Sequence, residues 1–449
     1  MFYAFVRSVV GFALRLFYRV EVNARPLPQT GPVIFVGNHP NALVDPALIF
    51  VITSRPVTFL AKEPLFRTPG IAQLLKGLGA LPVYRKQDDP AQMGRNEGTF
   101  EAATGALVRG GAITLFPEGK SHSEPELAEL KTGAARIAFR AGRRGAPPLV
   151  VPVGLTYEEK HRFRSRVLIE VGEPLQTRDF LPDEAAGEVE ENGAVRALTD
   201  GIERNLRGVT LNLEQWEDLE VIEMAERLYA FRLGERARDP DRLRRFAAGI
   251  GLFRREQPER FEALREEVVS FRTRLELARA DPDDLTLVYQ REAVWRFVGK
   301  NLASVLLGFP LFVAGMVLYA VPFWLPRLLN RALGVPWDQQ ATVKLVSALV
   351  LTPIWAALMA AAAFTLWGPA GLAVTLAGCL PLALFTRYFL ERKRRVLRDV
   401  QVFFVLGSRA KLKAKLLVEG ERLAAEMERL AAEYRARVGT QEGAGAKSA

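Results

Sequence analysis

The stretch VIFVGNHPNALVDP, residues 33–46, is a short apolar run that stops at a polar turn carrying His39, with Asp45 six positions later. A buried strand fixes the backbone and the following turn exposes the imidazole, a common way to build a general base. Asp45 then reads in two ways. As acceptor for the far ring nitrogen it would fix the tautomer and stabilise the imidazolium of a transition state. Followed by Pro46 and ALIFVI, it is also a good helix N-cap with proline at the first helical position, and Asn41 would cap a helix that began earlier.

Outward from this stretch, VTFLAK (57–62), AITLF (112–116), LVVPVGL (149–155) and VLIEV (167–171) are β-branched runs without alternation. Such runs suit strands buried on both faces. Helical sequence lies between them, at 46–52, 70–77, 97–109 and 133–143. The alternation predicts an α/β domain over residues 23–194, a largely parallel or mixed sheet covered by helices, with 174–193 as an exit loop.

Four segments in order carry a family resemblance: His39 with Asp45, GALPVYR (79–85) ending in Arg85, ITLFPEGKSH (113–122) and LVVPVGLTY (149–157). They resemble the four blocks of the glycerolipid acyltransferases, which move a fatty acyl group from a thioester carrier onto glycerol phosphates. The resemblance covers roughly residues 25–180. Most of that family has four residues between the His and the Asp, whereas HPNALVD has five, and FPEGKSH replaces the usual FPEG followed by Thr-Arg-Ser. Both variants look more like the yeast-type glycerol-3-phosphate and dihydroxyacetone-phosphate acyltransferases, with HxNxxVD and FPEG followed by a small residue and Ser-His.

That resemblance implies roles. His39 is the base and Asp45 its partner, with Asn41 in the same loop. Arg85 holds the acceptor phosphate, a task suited to a guanidinium fork; a lone arginine after a strand is otherwise a solvated surface residue. Glu118 contacts the acceptor and Gly119 shapes its site, with Lys120, Ser121 and Lys131 as phosphate contacts and Lys86 as a lesser one. A Pro-Glu-Gly sequence alone is only a turn signal. Pro152 resembles the fourth block's proline and shapes the acyl or carrier side without reacting. There is no G-x-S-x-G and the single thiol, Cys379, sits in an apolar stretch, so direct attack in a ternary complex follows. His122 is a further phosphate contact and His161 a solvated residue. Three scattered histidines without H-E-x-x-H give no zinc centre, and no cofactor is expected.

The formal charge of +10 over 449 residues points to anionic partners: nucleic acid, an anionic bilayer or phosphorylated substrates. Apolar spans late in the chain favour the bilayer, and no aromatic-basic recognition motif appears. Residues 1–22 carry Arg7, Arg15 and Arg19 among apolar residues, unlike a cleaved signal peptide. They read as an amphipathic helix in the headgroup region, or else as a surface helix of the catalytic domain. Residues 195–300 read as a charged helical insert, a lid or a spacer. Segments 301–326, 343–366 and 369–386 are apolar and long enough to cross or enter a bilayer within a 301–390 membrane region, as three spans or as one re-entrant segment plus a hairpin. Arg392 to Arg395 mark a cytoplasmic end, so an even number of crossings keeps the catalytic domain cytoplasmic. The charges fit a hairpin, 343–366 with 369–386 turning at 367–371, beside a re-entrant or interfacial first segment interrupted by Pro310, Pro322 and Pro326.

In the tail, 391–449, nine Lys or Arg against two acidic residues in 391–415 suit an anionic leaflet. Leu416, Leu423, Met427, Leu430 and Tyr434 form a seam that dimerises the chain or packs within it, and the last eleven residues read as disordered. The expected activity is acylation of glycerol 3-phosphate from acyl-CoA or acyl carrier protein. Lysophosphatidic acid is the second acceptor, and a catalytically idle membrane-binding protein is the rival class.

Overall fold

In the computed structural model the described residues are all except 184–186, 236, 238, 279, 287–290, 409 and 446–449; side chains of 291–298, 300–305, 394–395, 397–408 and 437–445 also lie outside the description. The side chains of Arg394 and Arg395 and most of the last eleven residues therefore fall outside it. In chain order, α1 (Phe2–Phe17) leads into β1 (Arg19–Ala24) and β2 (Val33–Gly37), then α2 (Val44–Ile52), β3 (Val57–Lys62), α3 (Ile71–Gly77) and β4 (Leu81–Val83). There follow α4 (Asn96–Val108), β5 (Ala112–Leu115), α5 (Gly133–Arg143), β6 (Leu149–Tyr157), β7 (Arg166–Val171), β8 (Leu175–Gln176) and α6 (Glu188–Val209). The remainder is helical: α7 (Asp218–Leu233), α8 (Pro240–Glu256), α9 (Pro258–Ala278), α10 (Arg291–Leu318), α11 (Ala320–Ala332), α12 (Gln340–Ser408) and α13 (Ala410–Gly445).

The eight strands form one mixed sheet in the order β1-β7-β6-β2-β5-β3-β4, with β8 on β6. The block β6-β2-β5-β3-β4 is parallel throughout. β7 runs antiparallel to β6, and β1 parallel to β7. All five residues of β2 are buried, as a strand covered on both faces requires. One core layer joins α1 and α2 to the sheet through Leu14, Leu48, Val57 and Val151; the other joins α4, α5 and α6 through Leu107, Ile137, Val150 and Leu198.

Residues 1–211 and 326–349 form one compact unit, and 212–325 with 350–449 another. The α/β unit is therefore larger than the expected 23–194. Helix α6 buries Val195, Leu198, Ile202 and Leu206 against the sheet, so the charged insert begins only at 212. At the other end, α1 stops at Phe17 and the chain enters the edge strand β1, which shortens the helix expected over 1–22. That helix packs on the domain along one face and leaves apolar residues exposed on the other. Leu14 and Val6 are buried and Tyr3 accepts a 2.9 Å bond from the Val57 N–H, while Phe5 and Phe12 stand 66% and 53% exposed. Segment 326–349 adds Ala341 and Leu345 to the first core layer.

In the helical unit, α7, α9 and α13 share a core of Leu228, Val268, Phe271, Leu416, Leu423 and Met427. The seam expected to dimerise the chain or pack within it is filled within the chain, with Leu416 and Leu423 each 1% exposed. Among the described residues one helix, Gln340–Lys393, is long and apolar enough to cross a membrane; α10 and α11 are so only as a pair, bent by 49°. Gly368 breaks α12 with φ 64° and ψ −154°. The Trp355 indole donates to the Leu318 carbonyl at 2.6 Å and the Tyr319 hydroxyl to the Cys379 carbonyl at 2.5 Å. Segments before and after Gly368 thus meet the same point of the chain, as a hairpin folded at that glycine requires. Leu358, Phe364, Val374 and Leu376 remain more than half, or nearly half, exposed on it.

The place of α6 can be tested at Gly154, where a Cβ would stand 1.8 Å from the Val209 carbonyl oxygen. Gly154→Ala should destabilise the α/β unit by about 3 kcal/mol, the upper part of the overpacking range, since backbone and not a flexible side chain is in the way. Gly193→Ala, on the exposed face of α6 with open space around it, should be neutral or stabilising by up to ~1 kcal/mol. Urea denaturation of the two variants measures the contrast.

Candidate active site

The carboxyl ends of parallel strands are where open α/β sheets bind ligands. Four such ends converge here: β6 ends in Tyr157, β2 runs into His39, β5 into Glu118 and β4 into Arg85. The sequence alternates short buried runs with helices, and the parallel register then delivers the four post-strand turns to one edge.

His39 follows β2 in a loop that α2 closes. Its Nδ1 bonds Asp45 Oδ2 at 2.8 Å, and the Asn41 N–H donates to the same oxygen at 2.6 Å. Asp45 lies in the first turn of α2 and is fully buried. The cap reading of Asp45 is displaced: α2 begins after Leu43 without a side-chain cap, because the carboxylate bonds backward into the loop. With Nδ1–H committed to a carboxylate, Nε2 carries the lone pair. It has no protein partner among the described residues, and the ring is 19% exposed and stacked on Phe116 at 4.4 Å between centroids. The five-residue span from His39 to Asp45 turns through Ala42, whose φ of 41° lies in the left-handed region where a Cβ costs about 1 kcal/mol. A bond from the Leu43 N–H to Thr342 Oγ1, 3.2 Å, holds the turn from outside.

Glu118 faces into the protein. It is 4% exposed, its Oε1 accepts the His39 N–H at 2.7 Å, and its Oε2 accepts the Ala128 N–H at 2.9 Å and bonds the His122 Nε2. The carboxylate is turned inward and straps the β5 turn to the base. His122 is occupied as well: the Glu124 N–H donates to its Nδ1 at 3.2 Å, so the proton sits on Nε2 facing Glu118, and the His122 N–H donates to the His39 carbonyl at 3.1 Å. Gly119 has φ 72°, a conformation that favours glycine, which lets the turn reverse.

Arg85 reaches the same turn, with Nη1 donating to the Gly119 carbonyl at 3.1 Å. Its Nε and Nη2 grip Asp88 at 2.6 and 2.8 Å, and that bond holds the Asp88 carboxyl below its ordinary range. The fork thus keeps one N–H on each terminal nitrogen for a ligand. Lys120 and Lys131 are exposed, the latter 3.7 Å from Glu129, and Lys86 is exposed beside Arg85. Ser121 is committed to Asp338, at 2.6 Å. Pro152 is buried in β6 opposite Val36, its carbonyl accepting the Gly172 N–H, three residues of β2 short of the base.

Several residues at the site carry no signal in the motifs. Tyr157 donates to Asp45 Oδ1 at 2.6 Å, and Tyr18 accepts from Asn41 Nδ2 at 3.0 Å. Lys160 donates to the Pro40 carbonyl and to Ser123 Oγ, at 2.8 and 2.7 Å; burial lowers its pKa, against the pull of Asp45. His161, expected to be solvated, tilts against Trp337 at 4.0 Å, and burial with the nearby Lys344 lowers its pKa. Tyr157 sits inside the quoted fourth block and an aromatic hydroxyl ending a buried strand could have marked it. Asp338, Thr342 and Trp337 lie too far along the chain for any local pattern to connect them to the site.

An imidazole fixed at one nitrogen by a buried carboxylate and open at the other can take a proton from a hydroxyl. Residues 19–156, which hold most of the sheet and its carboxyl-end loops, match the Acyltransferase family. Within that class, the chain is similar to glycerol-3-phosphate O-acyltransferase 1 of Saccharomyces cerevisiae, 24% identical over 71% of this chain and 54% of the relative. It is 36% identical to glycerol-3-phosphate O-acyltransferase 2 of the same yeast, over 30% of this chain and 18% of the relative. Against the 1-acyl-sn-glycerol-3-phosphate acyltransferase of Bacillus subtilis it is 26% identical, over 47% of this chain and 99% of the relative. The chain spans about half the length of the first yeast relative and less of the second. The resemblance to yeast-type glycerolipid acyltransferases read from the four blocks holds.

Glu118→Gln separates the strap from an acceptor contact. The amide would point an N–H at donors now facing carboxylate oxygens, so stability should fall by about 2 kcal/mol and kcat with it. A contact made only to acceptor would instead raise KM and leave the melting temperature unchanged. Thermal denaturation beside steady-state kinetics reads both.

Proposed function

We propose that this protein is a membrane-bound O-acyltransferase that moves a fatty acyl group from acyl-CoA or acyl carrier protein to glycerol 3-phosphate. The observation that carries the reading is the His39 ring, pinned at Nδ1 by a buried carboxylate and open at Nε2. In the proposed reaction Nε2 takes the proton of the acceptor hydroxyl as its oxygen attacks the thioester carbonyl. The C–O bond forms and the negative charge passes to the carbonyl oxygen. On collapse the C–S bond breaks, and the imidazolium returns its proton to the departing thiolate. Asp45 stabilises the imidazolium between these steps.

Arg85 is the phosphate ligand in this reading, using the two N–H groups that Asp88 and Gly119 leave over. The names of the yeast relatives favour glycerol 3-phosphate as acceptor. The Bacillus relative, almost all of which aligns with part of this chain, favours lysophosphatidic acid as the alternative. Product analysis of purified protein with each acceptor and an acyl-CoA donor should give lysophosphatidic acid from glycerol 3-phosphate at the higher kcat/KM. His39→Ala should lose at least 1,000-fold in kcat while keeping its melting temperature, as removal of an essential base does. Undiminished turnover would end the assignment.

The exposed apolar faces of α1 and of the Gly368 hairpin support attachment to a bilayer, and the basic run at 392–395 favours a catalytic unit on the cytoplasmic side. A cysteine at Gly368 would be strained by its positive φ, so the topology test belongs at Trp367, 69% exposed, in a Cys379→Ser background. A membrane-impermeant thiol reagent on intact cells should label Trp367→Cys and spare Leu333→Cys, 68% exposed. The reverse pattern would overturn the orientation.

A further inference from the structure

Asp45 is a fully buried carboxylate, and burying a charge is costly unless donors replace water. Its Oδ2 receives the His39 ring and the Asn41 N–H; its Oδ1 receives the Tyr157 hydroxyl at 2.6 Å. Tyr157 is the last residue of β6, directly beside β2 in the parallel block, and one residue past the family-matched segment. The Tyr18 ring packs edge-on against it at 5.6 Å, and the Tyr18 hydroxyl bonds Asn41 and the Lys160 carbonyl.

The groups around Asp45 come from every neighbouring element. Tyr157 and Lys160 approach from β6 and the loop after it, Tyr18 from the end of α1, and Glu118 with His122 from the β5 turn through His39. Asp338 reaches the same region through Ser121 and its field on Lys160. The Lys160 ammonium is spent on Pro40 and Ser123, so the donors in direct contact with Asp45, apart from the imidazole itself, are neutral. Burial, and secondarily the charge of Asp45, raise the Tyr157 phenol well above its ordinary range, so it stays protonated and donating wherever the enzyme works.

We propose that Tyr157 is a positioning residue of the acyl-transfer site. Its hydroxyl keeps Asp45 ionised and turned toward His39, and so sets the proton affinity of the His39–Asp45 pair. This rests on the reading of His39 as the base. The sign follows from linkage. A donor to an anionic pair disfavours its protonation; without the donor, the pair takes up a proton at higher pH.

Tyr157→Phe should lower kcat about 10- to 100-fold, the worth of one hydrogen bond to a charged group. KM for the acceptor should barely change. The acidic limb of the kcat profile should move up by about one pH unit. Loss of activity with an unmoved limb would mark a merely structural residue and overturn the proposal, as would wild-type kinetics. If the phenylalanine variant does not fold, 3-fluorotyrosine at position 157 keeps the shape and strengthens the donor. The limb should then move to lower pH, and an unmoved limb overturns the proposal. His39→Ala in the same assay separates the two readings: retained activity removes the base itself, whereas an inactive His39→Ala beside an unmoved Tyr157→Phe limb removes only the role of Tyr157.

Discussion

The site depends on a negative charge held out of water. Asp45 has no exposed surface, and the fold provides donors at both of its oxygens: an imidazole, a backbone N–H and a phenol. Those donors come from the β2 loop and the end of β6, so the carboxylate cannot be satisfied until the parallel pair has formed. In return the satisfied carboxylate fixes the loop, including the left-handed turn at Ala42. The proton on His39 Nδ1 is a consequence of that burial, and the lone pair at Nε2 a consequence of the proton.

Rigidity is distributed unevenly around this centre. The anionic groups, Asp45 and Glu118, are interior and fully bonded, and they hold backbone as much as side chains. The cationic groups, Lys86, Lys120 and Lys131, are exposed, with Arg85 between the two sets and anchored by Asp88 and Gly119. Under the proposed function that division suits two length scales, since a base must be placed to within a fraction of an ångström whereas phosphate attraction acts over a Debye length.

Much of this was legible in the sequence because it is local. The buried runs at 33–37, 57–62 and 167–171 and the helices between them are each set by their own residues, and the pairing of His39 with Asp45 spans one loop. The boundaries were less legible. Helix α6 looks charged because the apolar residues that meet the sheet core, Val195, Leu198, Ile202 and Leu206 with Ala194 and Val209 beside them, are a stripe on one face of a polar helix. The inward turn of Glu118 was illegible for a different reason. A glutamate in a Pro-Glu-Gly turn looks solvated until two backbone N–H groups from elsewhere are found without other acceptors. Tyr157, Ser121 and His161 were misplaced or passed over because their partners, Asp45, Asp338 and Trp337, lie more than a hundred residues away.

The connector 326–349 shows how far such long-range satisfaction extends. It lies between apolar helices and would be expected to follow them, yet Ala341 and Leu345 complete the core layer behind β2, Thr342 accepts the Leu43 N–H, and the Lys344 ammonium caps the His161 carbonyl. Each contact supplies something residues 19–161 lack among themselves: apolar residues for the core layer that holds α2, an acceptor for the Leu43 N–H, a donor for the His161 carbonyl. A domain cut at the end of its own sheet would leave those groups to water, beside the loop that carries His39. The piece of chain that finishes the site is therefore one that no catalytic motif marks, and it is tied to the site by backbone satisfaction, which sequence pattern does not encode.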